Sequence, residues 1–68
     1  MAHNRSLAIA ILDSGKPQIV IAKKAGIHET RLSKIVNGHL EPTDDERKVL
    51  ARVLRRRVVD IFPEALAS

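Results

Sequence analysis

Gly26 interrupts a stretch, AKKAGIHETRLSKIVNG (22–38), that otherwise reads as a single helix. Apolar residues recur at helical spacing on both sides of it: Ile21, Ala22 and Ala25 before, Leu32 and Ile35 after. Neither flank is long enough to hold a helix in water alone. Two such helices become stable by packing on each other at a steep angle across a short turn, and glycine ends the first without steric cost. Close crossing needs a small residue at the contact, which Ala22 supplies, and an apolar residue entering from the turn, which Ile27 supplies. The joint then buries one side of the second helix. Its other side, with Glu29, Thr30, Arg31 and Lys34, is left free.

The remaining chain reads as three further helices, giving an all-α fold of five short helices in a single domain, with a folded core over about 5–63. The first runs over about 5–14, started by Asn4 or Ser6 and ended near Gly15. Pro17 suits the beginning of the second, which reaches Ala25. The third covers about 28–36 and stops at Asn37-Gly38. Thr43 followed three residues later by Glu46 forms a capping box for the fourth, and Asp44 and Asp45 suit its dipole. That helix continues to about Leu54; a fifth covers about 58–62 and stops at Pro63. The tail 64–68 is expected to fray. The β-branched runs at 19–21 and 58–59 lack the alternation and hairpin turns of strands.

Sixty-eight residues bury only about 60% of the surface the unfolded chain exposes, so the core is marginal. No cysteine is present to staple it, which fits a reducing compartment. His3, His28 and His39 lack the spacing of a zinc site, and no metal or other cofactor is expected. No stretch approaches the ~20 apolar residues of a membrane span, and the chain is expected to be cytoplasmic. Twelve Lys and Arg against eight Asp and Glu give a net charge of +4, which favours a polyanionic partner. With Phe62 as its one aromatic residue, the chain has no stacking platform for single-stranded nucleic acid, which leaves duplex binding open. No nucleophile sits with a base, and an enzyme is not expected.

A helix with one buried and one polar side fits the major groove, its N-terminal residues at the base edges. Gln18, Ala22, Gly26-Ile27, Leu32-Ser33-Lys34-Ile35, Asn37-Gly38, Pro42, Ala51 to Leu54 and Ile61-Phe62 together resemble the lambda-repressor-like, Cro-type (Xre) helix-turn-helix proteins. The resemblance spans about 5–63, with the helix-turn-helix at about 18–36. It implies a transcriptional regulator, commonly dimeric, that binds double-stranded DNA and reads a palindromic operator; repression is the expected role.

Four positions depart from the family pattern. Many relatives pair an arginine late in the first helix with a glutamate just before Asn-Gly; Ile11 and Val36 stand there, an apolar replacement expected to bring the two side chains together. His39-Leu40 replaces arginines after Asn-Gly, which predicts weaker phosphate binding. Arg55 replaces the usual glycine after the fourth helix, so a differently built cap is expected. Ile19 and Val20 are apolar where relatives are polar.

Glu29, Thr30 and Lys34 are the expected base readers: lysine donates to guanine, glutamate accepts from cytosine, and the threonine methyl touches thymine. Arg31 and His28 are expected on phosphates, as is His39. The resemblance implies phosphate contacts at Gln18, and at Asn37 beside its role in ending the helix. Lys16, Lys23 and Lys24 are weaker phosphate candidates. Arg55, Arg56 and Arg57 suit a helix C-terminus, at the end away from DNA. A homodimer is expected to use Val58, Val59, Ile61, Phe62 and Leu66, unless Ile61 and Phe62 close the monomer core. The rival reading is a protein-interaction module, antitoxin-like or regulatory, with Ile19, Val20 and Leu40 facing a protein partner.

Overall fold

Helix boundaries follow local capping chemistry throughout the computed structural model, which describes residues 4–63. Five helices lie along them: α1 (Arg5–Asp13), α2 (Gln18–Ala25), α3 (Glu29–Val36), α4 (Asp44–Leu54) and α5 (Val58–Ile61), with no strand among the described residues. Asn4 caps α1, its Oδ1 accepting the Leu7 N–H at 3.0 Å. Thr43 and Glu46 exchange both bonds of the capping box: Thr43 Oγ1 accepts the Glu46 N–H at 3.2 Å and Glu46 accepts the Thr43 N–H at 2.8 Å. Each expected boundary lies within about one residue of the observed one.

α2 packs on both α3 and α4, α1 packs on α3 and α5, and α4 closes on α5. The shared core holds Leu7, Ile11, Ile21, Ala22, Ile27, Leu32, Ile35, Leu50, Leu54, Ile61 and Phe62. Ile11 is buried and Val36 is half-buried against this same core, as an apolar replacement of an ion pair requires. Ile61 and Phe62 are fully enclosed, so they close the monomer and are withdrawn from the expected dimer surface. Val58 and Val59 stay half-buried, and Leu66 lies outside the described residues. Of the apolar residues expected to face a partner, Ile19 is 42% exposed, while Val20 and Leu40 are half-buried. Larger apolar exposure occurs on α1, where Ile9 is 51% and Leu12 79% exposed.

Three helices end in one motif. After α2, Gly26 N–H donates to Lys23 O at 3.2 Å and Ile27 N–H to Ala22 O at 2.9 Å. After α3, Gly38 and His39 donate to Ile35 and Lys34 at the same two lengths, 3.2 and 2.9 Å. After α4, Arg55 and Arg56 donate to Arg52 and Ala51, again at 3.2 and 2.9 Å. This is the paired-bond C-terminal motif that needs a left-handed residue at its pivot. The expectation of a different cap at Arg55 is therefore corrected: Arg55 takes the left-handed conformation itself, at φ 56°, ψ 44°. Two neighbouring arginines are tied down beside it, Arg56 to Asp13 at 3.2 Å and Arg57 to Asp60 at 3.3 Å.

The shared motif yields a matched pair of predictions. A Cβ added at Gly26 meets nothing within 4 Å, so Gly26→Ala suffers only the backbone penalty of φ +71°. It is expected to lower stability by about 1 kcal/mol. Arg55→Gly removes the same penalty, less the added freedom of the unfolded chain, and is expected to raise stability by about 0.5 kcal/mol. Thermal or urea melts of both variants check the opposite signs.

Candidate nucleic-acid interface

The turn at Gly26 sets where α3 begins, and His28 caps it. The His28 Nδ1 accepts the Thr30 N–H at 3.1 Å, a role serine, threonine or aspartate fills more often. With Nδ1 accepting, the neutral ring carries its proton on Nε2, free to donate outward. At the other end of α3, the Asn4 N–H donates to Val36 O at 2.9 Å, which fastens the helix to the start of α1. Leu32 and Ile35 anchor the inner side. Both ends and the inner side of α3 are thus held, which leaves its polar arc presented rigidly.

On that arc Glu29, Thr30 and Lys34 are exposed, and Ser33 is half-buried between them. These four residues line one shallow concavity of about 390 Å³ together with Gln18, the first residue of α2. Gln18 reaches it because α2 packs on α3. Pro17 precedes it and offers no side-chain cap, so the first N–H groups of α2 open outward there. Glu29 and Lys34 form no ion pair among the described residues. Ser33 was not singled out from the sequence as a lining residue, although it stands one turn after Glu29 on the same face.

Asn37 closes α3 at φ −82°, ψ 0°, and Gly38 rather than Asn37 takes the left-handed pivot at φ 79°. Asn37 is half-buried and His39 exposed just beyond the helix.

Arg31 departs from expectation. Its guanidinium, expected on a phosphate, lies on Glu46 of α4: Nε donates to Oε2 at 2.5 Å and Nη2 to Oε1 at 2.9 Å. The Arg31 bonds hold the Glu46 carboxyl below the ordinary glutamate range, with the Thr43 N–H adding to the effect. Glu46 in turn raises the Arg31 guanidinium above its ordinary value. The partnership joins residues 15 apart in sequence and so left no local signal.

Lys16 is pulled below the ordinary lysine range by the nearby Lys24, with Arg55 adding to the repulsion.

A small helix pair with a polar arc turned outward and a second helix N-terminus beside it is an arrangement for binding a surface. Comparison with known proteins agrees. The family model for helix-turn-helix proteins of the Xre, lambda-repressor-like kind matches residues 7–61, from the first core leucine to the last core isoleucine. No curated protein and no solved structure matches the chain significantly. The matched segment covers most of the sequence, and the chain belongs to the Xre, lambda-repressor-like family of helix-turn-helix DNA-binding regulators.

Proposed function

We propose that the protein is a sequence-specific repressor that reads a duplex operator through the major groove with α3, without enzymatic activity. The observation that carries this reading is the shared concavity: Gln18, Glu29, Thr30, Ser33 and Lys34 converge on it from two helices. Buried inner residues hold these side chains in place, while no ion pair consumes the charges of Glu29 and Lys34. Lys34 donates to guanine O6 and N7, Thr30 touches a thymine methyl, and Glu29 accepts from cytosine N4. Gln18 and the open N-terminus of α2 hold a phosphate on one side of the groove. His28 through Nε2, Asn37 and His39 hold phosphates near the two ends of α3.

One module covers a half-site. Two copies read a palindrome with half-sites about 34 Å apart, meeting through α5 with Val58 and Val59 at the contact. A second reading has one observation in its favour. The exposure of Ile9, Leu12 and Ile19 suits a protein partner on α1 and α2, in the manner of an antitoxin-like module. Association of that kind is insensitive to salt, whereas operator binding weakens steeply with it.

Selection of duplex DNA from a random pool with the purified chain is expected to return a palindromic site. Lys34→Ala is expected to weaken binding to that site by about 1–3 kcal/mol and to relax one base position in each half. Parent-like affinity and selectivity in this variant would remove Lys34 as a reader. Sedimentation of the complex is expected to give two chains per site, and one chain per site would end the dimer proposal.

A further inference from the structure

The position of Arg31 on α3 gives its pairing a functional meaning. At about 100° per residue, Arg31 stands one step round the helix from Thr30 and about 60° from Lys34. That is the border of the polar arc, on the side where α4 begins. When a helix lies in the major groove, the border of its arc faces the sugar–phosphate ridge, and a bare arginine there grips any duplex regardless of sequence.

In this chain that arginine is occupied. Glu46 takes its Nε and Nη2 edge with both carboxylate oxygens, a bidentate pairing that is stronger and more directional than a single contact. Glu46 is itself held by the Thr43 N–H at 2.8 Å, so it is anchored before Arg31 arrives. Its side chain is 17% exposed against 39% for Arg31, which puts the acid on the inner side of the pair. Asp44 on the same helix turn is tied to Arg47 at 2.8 Å, which leaves Glu46 as the acid that faces the guanidinium.

We infer that Glu46 is a specificity-determining positioning residue, which withholds Arg31 from the DNA backbone and so suppresses binding to non-operator sequence. The inference rests on the reading of α3 as the DNA-reading helix. Its logic is that of a difference of affinities: sequence-independent binding comes from phosphate contacts, so neutralising one cation lowers the background that every other sequence offers. On the operator, base contacts already fix the pose, and a freed Arg31 gains little. On other sequences the helix is free to settle around it.

The test compares Glu46→Gln with Asp45→Asn. Both remove one negative charge from the first turn of α4. Glutamine still serves at this capping-box position, so Glu46→Gln keeps the helix start while losing the ionic hold on Arg31. Asp45 forms no ion pair among the described residues, so Asp45→Asn makes the same charge change without touching a guanidinium. Binding to the selected site and to a scrambled duplex is measured over a salt series.

Glu46→Gln is expected to tighten scrambled binding by roughly three- to tenfold at low salt and to steepen its salt slope by about 0.9. The ratio of selected to scrambled affinity falls accordingly. Asp45→Asn leaves both near the parent. If the two variants behave alike, the effect belongs to net charge and the inference fails, while the Lys34→Ala loss still upholds the DNA reading. If Lys34→Ala also binds like the parent, the reading and the inference fall together.

Discussion

The hydrogen bond from Ile27 N–H to Ala22 O, 2.9 Å long, closes the elbow on which the site depends. It forms because Gly26 adopts the left-handed conformation, and it swings Ile27 under the joint to lie 8% exposed. Ala22, 1% exposed, lets α3 approach α2 closely. The same elbow turns Leu32 and Ile35 inward and therefore Glu29, Thr30 and Lys34 outward. It also brings Gln18 to the mouth of the arc, although Gln18 begins α2 and lies eleven positions before Glu29 in the sequence. A single backbone reversal thus does three things: it completes a small core, fixes the polar arc of α3, and brings a second helix terminus to it.

Much of this was legible because the signals are local. Gly26, Asn37-Gly38, Asn4 and the Thr43–Glu46 box each act on backbone groups within about four residues, so sequence neighbours suffice to locate helix ends. Helical spacing likewise separated the inner side of α3 from the outer. Arg55 was misread for an equally physical reason. Propensity disfavours a left-handed arginine by about 1 kcal/mol, yet the motif it pivots has two hydrogen bonds and leads into α5, which buries Ile61. Tertiary context outweighed the local preference. Arg31 was misassigned because its partner lies on another helix, where no spacing rule reaches. On α1, Leu7 and Ile11 turn into the core while Ile9 and Leu12 lie on the outer side, 51% and 79% exposed.

The distribution of ionic ties also distinguishes this chain within the pattern it resembles. Ile11 and Val36 stand where many relatives carry a charged pair, and they join the apolar core. Burying charges is costly and replacing both together is tolerated, so the core loses nothing by the exchange. The ties that remain among the described residues lie at the rim: Arg31 to Glu46, Arg47 to Asp44, Arg56 to Asp13, Arg57 to Asp60. Rim pairs contribute little to stability individually. Their value is in direction, since each fixes where one guanidinium points.

That placement matters for a chain with a net charge of +4. A basic protein binds any nucleic acid to some degree, and selectivity requires that its cations be spent where sequence is read or be held elsewhere. Lys34 is left unpaired on the arc, while Arg31, Arg47, Arg56 and Arg57 each have a carboxylate within 3.3 Å. The acids of the α4 N-terminus therefore act twice. They stabilise their own helix through its dipole and capping box, and one of them also holds a neighbouring arginine at the border of the polar arc of α3. If α3 reads DNA as proposed, helix capping and DNA discrimination meet in the carboxylate of Glu46, and a change made there for stability alone also alters which sequences the protein binds.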